Sequence, residues 1–172
     1  LLLSIFAKGE RPSGSSDPYA LRRAGNGLLQ IVWDRGWRLD LSRFLGSAVE
    51  DWAALFPEFA IDSSALHQDL CQLLRQRIVS QFEDEGFAPD LVQAVSAESV
   101  ATERLLADPM DVRERLDLLN ALRQSKALPG LMAVVQRAAR LAEKGDLVET
   151  DLTVSAVVSP ERFESPSETA MY

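Results

Sequence analysis

Residues 9–23 read GERPSGSSDPYALRR, a flexible connector that ends in a strong start signal for a helix. Its glycines, serines and first proline are typical of an irregular segment. Asp17 is a preferred capping residue, because its carboxylate can accept hydrogen bonds from the free N–H groups of a first helical turn. Pro18 suits the first helical position, where its fixed φ is already helical. The stretch predicts a helix that begins at Pro18, with Asp17 bonded to the N–H of Tyr19 or Ala20.

The rest of the chain repeats its apolar residues at helical spacing. The longest predicted helix, residues 64–85, carries one stripe: Leu66, Leu70, Leu74, Ile78 and Phe82. A first helix is expected to end near Lys8-Gly9. Others are expected at about residues 18–33, 41–56, 89–95, 108–125 and 129–144, while 98–107 stays open between a loop and a short helix. Pro89 is expected to begin the helix at 89–95, and Asp108-Pro109 repeats the cap-then-proline signal of Asp17-Pro18. The last helix is expected to bury Leu131, Val134, Val135, Ala138, Leu141 and Ala142. Because no pair of strands is predicted, the fold class is all-α, one helical bundle or two small ones.

Composition narrows the classes of function. The chain has 172 residues, of which 47% are hydrophobic, so it can bury a core. No apolar run approaches the ~20 residues of a membrane span. The single cysteine, Cys71, forbids an internal disulfide and favours a reducing, cytoplasmic location. The single histidine, His67, is expected to be an ordinary residue of a helix boundary. The sequence therefore predicts neither a catalytic set nor a metal site.

The net charge of −8 argues against a general nucleic-acid binder. The charge is uneven, since residues 1–43 carry seven basic and four acidic side chains. An acidic protein can still bind RNA where its basic groups gather on one face, because the local field matters more than the sum.

Two motifs identify a family. The first is the G-x-x-P-x-G spacer at residues 9–14 followed by DPYALRRA at 17–24, and the second is RIVSQFEDEGFAPDLVQAV at 77–95. Both resemble the β subunit of the bacterial two-subunit glycyl-tRNA synthetase, and the resemblance covers nearly the whole chain. It implies a fragment of that subunit. Residues 1–57 would be the last helices of an HD-like domain, and residues 58–172 the start of a helical anticodon-binding domain.

The resemblance also implies a role. In this family the α subunit uses ATP to activate glycine, so no cofactor is expected in this chain. The implied partners are glycine tRNA and the α subunit, with no membrane. Remote tRNA binding would orient the acceptor end at the reacting site.

The predicted tRNA contacts lie on the last helix. Arg137, Arg140 and Lys144 fall within ~60° of one another on a helical wheel. Only Arg137 matches a basic position of the family pattern, because Gln136 and Arg140 depart from it. Arg22, Arg23 and Arg38 of the basic N-terminal stretch are further candidates. The alternative is that these charges form a plain solvated face.

Arg77 lies at the edge of the apolar stripe of the longest helix, so its charge needs a partner or must reach solvent. The nearest carboxylate beyond the turn at Gly86 is Asp90, and a salt bridge between Arg77 and Asp90 is predicted. The alternative is that Arg77 faces tRNA.

Two other classes of function compete with this interpretation. The first is a helical adaptor that binds protein rather than RNA, which the net charge favours. The second is a remnant of an HD-type phosphohydrolase, which the single histidine disfavours.

Overall fold

The computed structural model describes residues 1–143. The regular secondary structure in this range consists of helices alone, which confirms the all-α prediction. The elements are α1 (Leu2–Ala7), α2 (Leu21–Asp34), α3 (Leu41–Leu55), a 3₁₀ turn (Pro57–Phe59), α4 (Ser63–Asp84), α5 (Pro89–Ser96), α6 (Thr102–Ala107), α7 (Pro109–Gln124) and α8 (Leu128–Ala142).

The central element is α4, which α1, α2, α3, α5 and α6 all contact. Its predicted stripe is buried along its whole length, and Ile78 and Phe82 have no exposed surface. Cys71 and Leu73 widen the buried face, as do Arg75 and Gln81. Burying apolar area at about 25 cal/mol per Å² is the main stabilising contribution here. The prediction for this helix is confirmed.

The start of α2 differs from the prediction. The helix begins at Leu21 rather than at Pro18, because Ala20 adopts a left-handed conformation with φ of 55°. The N–H of Ala20 donates to the backbone carbonyl of Asp17 at 3.1 Å, which closes a turn over Pro18. The carboxylate of Asp17 then accepts from the N–H groups of Leu21 at 2.8 Å and Arg22 at 3.0 Å. Asp17 does reach the helix terminus, but the expected donors Tyr19 and Ala20 were wrong.

The second Asp-Pro pair behaves as the simple pattern predicts. Asp108 precedes Pro109 at the first position of α7, and its carboxylate accepts from the N–H of Asp111 at 3.1 Å. The carbonyl of Pro109 accepts the indole N–H of Trp33 at 3.0 Å. Trp33 also stacks on Phe82 with ring centroids 5.3 Å apart. These contacts fix α7 against α2 and α4.

The connector before α2 is held by two arginines. Arg11 donates to the carbonyl of Phe6 at 2.5 Å and to the carboxylate of Asp69 on α4 at 2.6 Å, and it lies over the Phe6 ring. Arg22 donates to the carbonyl of Gly14 at 2.7 Å. Gly14 itself has φ of 50°, a conformation that favours glycine. The connector is therefore a defined loop.

The chain divides into two compact units, Leu1–Pro129 and Gly130–Tyr172. The break near residue 57 is not a boundary between them, because α4, which follows it, packs on α2 and α3, which precede it. The assignment of 1–57 and 58–172 to two named domains stays a prediction.

Candidate nucleic-acid interface

The arginines predicted to contact tRNA on the last helix are both exposed. Arg137 and Arg140 lie one turn apart on α8, and no described carboxylate is within 4.0 Å of either guanidinium. Lys144 lies outside the described residues. The structure thus presents two of the three charges.

The apolar stripe of α8 is exposed as well, contrary to expectation. Leu131, Val134, Val135 and Leu141 each expose about half or more of their surface (48–66%). This helix is nearly all of the second unit that the structure describes. The periodicity predicted the helix correctly and its burial wrongly.

The two arginines at the start of α2 differ in their surroundings. Arg23 is exposed, whereas Arg22 is half-buried and holds the connector through Gly14. Neither has a described carboxylate within 4.0 Å. Arg22 thus combines a structural contact with an uncompensated charge.

The predicted salt bridge between Arg77 and Asp90 is wrong. Asp90, on α5, faces α7 and pairs with Arg123 through two hydrogen bonds. Arg77 faces α2 instead. An ideal Cβ built on Gly25 would lie 3.1 Å from the Cγ of Arg77, so the arginine stem fills the space that a larger residue would need. The two residues are close in sequence, but they belong to different interfaces of the bundle.

Arg77 has no described partner for its charge. Its Nε is buried and forms no hydrogen bond, and the Oδ1 of Asn26 is buried without a partner too. Burial lowers the pKa of Arg77, and the positive charge of Arg22 lowers it further. The carboxylates of Asp84 and Asp17 act in the opposite direction, but neither is within 4.0 Å. Two like charges therefore face each other across the seam between α2 and α4.

Arg75, which the sequence analysis did not single out, is the buried arginine of α4. It is 8% exposed, and its guanidinium donates to the carbonyls of Val100 at 2.6 Å, Ala97 at 2.6 Å and Ser96 at 3.0 Å. The carbonyls of Ser96 and Ala97 end α5, where the helix dipole favours a cation. Arg75 fixes the α5–α6 connection, and nothing in its own segment marks it as different from Arg77.

The arginines near α7 are neutralised. Arg113 pairs with Glu85 at 2.6 Å, and Arg115 pairs with Asp111 at 2.8 Å. Arg38 donates to Glu114 and Asp108, hydrogen bonds that raise its pKa. This surface offers little net attraction to an anion.

His67 and Cys71 form a contact that the sequence analysis missed, although their i, i+4 spacing predicts one face of a helix. The Sγ of Cys71 lies 3.3 Å from the Nε2 of His67, and that Nε2 lies 2.8 Å from the carbonyl oxygen of Ser42. Burial raises the pKa of the Cys71 thiol, which keeps it protonated. A protonated, buried thiol is a packing residue.

No group of three or more His, Cys, Asp or Glu side chains within residues 1–143 could hold a metal ion. No helix in the same range is long and apolar enough to cross a membrane.

Comparison with known proteins gives the family. A family model described as glycyl-tRNA synthetase beta subunit matches residues 1–97. A glycine–tRNA ligase beta subunit from Picosynechococcus sp. is 39% identical over 99% of this chain, and its counterpart from Acaryochloris marina is 40% identical over the same share. A more distant one, from Limosilactobacillus fermentum, is 32% identical over 97% of the chain. The chain spans about a quarter (23–24%) of the length of these relatives.

The described residues form an all-helical segment with exposed arginines on α8. The chain belongs to the glycyl-tRNA synthetase beta subunit family, because the matched model covers more than half of it. The resemblance noted in the sequence is confirmed.

Proposed function

We propose that this chain is a tRNA-binding part of a glycyl-tRNA synthetase β subunit, which supports the ATP-dependent attachment of glycine to its tRNA in the cytoplasm. The observation that carries the proposal is the pair of exposed arginines on α8, which have no described carboxylate within 4.0 Å. Family membership indicates which RNA would be bound, since the relatives are named as glycine–tRNA ligase subunits.

The contribution to the reaction is positioning. Arginines on phosphates hold a remote part of the tRNA, and that binding energy orients the acceptor end at the site of glycine transfer. The proposal places that site, and the ATP that it uses, in the α subunit, so this chain needs neither a cofactor nor a metal of its own. Glycine tRNA and the α subunit are its partners.

The test uses the assembled two-subunit enzyme. Arg137→Gln, Arg140→Gln and Lys144→Gln are combined, and the dissociation constant of labelled glycine tRNA is measured over a salt series. Each lost phosphate contact lowers the salt slope by about 1, so the slope falls by roughly 2–3. Glycine activation without tRNA is expected to stay unchanged.

A matched control removes three charges from the neutralised surface, through Arg113→Gln, Arg115→Gln and Arg123→Gln. These arginines are paired with carboxylates, so the control is expected to keep the wild-type salt slope. If the α8 variant and this control change tRNA binding equally, Arg137 and Arg140 do not contact the RNA.

A helical adaptor that binds protein is the second candidate. The exposed apolar side chains of α8 favour it. An aromatic cluster favours it too, in which the ring centroid of Trp52 lies 5.0 Å from those of Phe56 and Phe59. An apolar protein contact tightens or persists at high salt, whereas phosphate contacts weaken steeply. The salt series on wild-type protein therefore separates the two candidates.

A further inference from the structure

Polar side chains lie in the seam where α2 packs on α4. Arg22, Gly25 and Asn26 lie on one face of α2, at i, i+3 and i+4. Arg77 packs its stem on Gly25, and Gln81, one turn later, donates its Nε2 to the Asn26 carbonyl at 3.2 Å. Arg22, Asn26 and Arg77 are therefore neighbours.

Two polar atoms in this seam are left without partners. The Nε donor of Arg77 and the Oδ1 acceptor of Asn26 are both buried and unbonded within the described residues. A buried polar atom without a partner is costly, so each one calls for an explanation, of which a bound group is one. The Arg77 Nε–H is a donor and suits an anionic acceptor, whereas the Asn26 Oδ1 is an acceptor and needs a donor instead. The two lie beside a guanidinium pair that no described carboxylate neutralises.

The nearby acids do not serve the pair. Asp17 gives both carboxylate oxygens to the N terminus of α2. An open groove toward α5, which Arg77 also lines, contains Glu83 and Glu98 and so disfavours an anion on that side. On the α2 side, Arg22 and Arg77 lie together, and neither Asp17 nor Asp84 is within 4.0 Å of either guanidinium.

We propose that Arg22, Asn26 and Arg77 form a phosphodiester-binding notch between α2 and α4 that holds the RNA backbone. The inference rests on the proposed function, since glycine tRNA supplies the phosphodiester. A guanidinium presents its donors as a planar fork, the geometry that binds two phosphate oxygens at once. The Asn26 side-chain amide adds a neutral donor, and the half-buried Arg22 is held at the notch by Gly14.

The decisive variant is Asn26→Asp, which changes the amide to a carboxylate of the same shape beside Arg77. The new charge gives the arginines an internal partner, so the melting temperature rises by about 2–4 °C. The same charge repels phosphate, so binding of labelled glycine tRNA by the two-subunit enzyme weakens about tenfold or more and the salt slope falls by about 1. If the seam has only a structural role, the melting temperature rises while tRNA binding and its salt slope stay unchanged.

Arg77→Gln is the second variant, and it removes the fork without adding a charge. Its expected result is the same loss of tRNA affinity and slope. The control is Arg115→Gln, which removes one charge from an exposed arginine paired with Asp111 and is expected to leave both quantities unchanged. Unaltered tRNA binding by either folded seam variant overturns the notch.

Further measurements distinguish RNA from free phosphate as the occupant of the notch. They also separate failure of the notch from failure of the proposed function. Inorganic phosphate at 10 mM or so, at constant ionic strength, is expected to compete little, because one contact of many contributes to RNA binding. Full competition by phosphate would overturn RNA as the occupant. Wild-type enzyme without salt-dependent tRNA binding would defeat the proposed function itself. Loss of affinity in the α8 variant alone would defeat only the notch.

Discussion

The arginines of α7 and three arginines of α2 and α4 lie in opposite electrostatic settings. All three arginines of α7 pair with carboxylates, namely Glu85, Asp111 and Asp90. Arg22, Arg75 and Arg77 have no described carboxylate within 4.0 Å. Acids outnumber bases in this chain by 26 to 18, so a shortage of carboxylates does not explain the difference.

The difference shows that arginines without a carboxylate partner occur in two settings in this bundle. Arg75 is satisfied by backbone carbonyls and orders a chain connection. Arg77, two residues later on the same helix, is left with a buried and unbonded Nε. Substituting each in turn separates a structural cation from one that awaits a ligand.

The largest effect is expected from Arg75→Met. The change keeps the apolar stem but leaves three carbonyls near Arg75 without their charged donor, which should cost about 3 kcal/mol of unfolding free energy. Urea unfolding monitored by circular dichroism measures it. Arg77→Met is the matched control and should cost much less, because no hydrogen bond is lost. Equal costs would contradict the division of roles.

A smaller effect is expected from Asp17→Ala. Asp17 is a carboxylate near Arg77 that does not neutralise it, since both its oxygens serve the N–H groups of Leu21 and Arg22. Losing this cap should cost about 1 kcal/mol in the same titration. A cap depends little on salt, so the cost should be similar at low and high ionic strength. A cost that disappears in salt would instead make Asp17 the partner of Arg77.

The sequence predicted the features that depend on residues close together in the chain. The stripe of α4, the start of α5 at Pro89 and the start of α7 at Pro109 were all found from spacing and proline positions. Asp17-Pro18 and Asp108-Pro109 look alike in sequence, yet only the second begins a helix directly. The left-handed Ala20 and the loop that Arg11 and Arg22 hold make the difference, and those contacts come from distant residues.

The candidate site was less accessible to sequence analysis. A helical wheel placed Arg77 at the stripe edge but could not show that α2 covers it or that α5 turns Asp90 toward Arg123. Arg75 was missed because its partners are carbonyls, which no side-chain pattern reveals. The pairing of arginines depends on which helices meet, and that is set by the whole bundle.

The smallest effect is expected for the paired surface, through Arg123→Gln. The hydrogen bond from Arg123 holds the pKa of Asp90 below its ordinary value. A carboxyl group with a lowered pKa in the folded state stabilises the protein when ionised, and this contribution is lost as the pH falls through the folded-state pKa. The difference in unfolding free energy between wild type and variant should therefore be greatest near pH 7, shrink below about pH 4 and vanish in stronger acid. Urea titrations at pH 7, 5 and 3.5 measure it, and groups common to both proteins cancel.

The difference should be small at every pH because both side chains are largely solvent-exposed. Arg123→Lys, which keeps the charge, should retain part of the pH dependence. A difference that grows toward acid would show that Arg123 is not paired with Asp90, and the contrast with the α2–α4 seam would fail at this point.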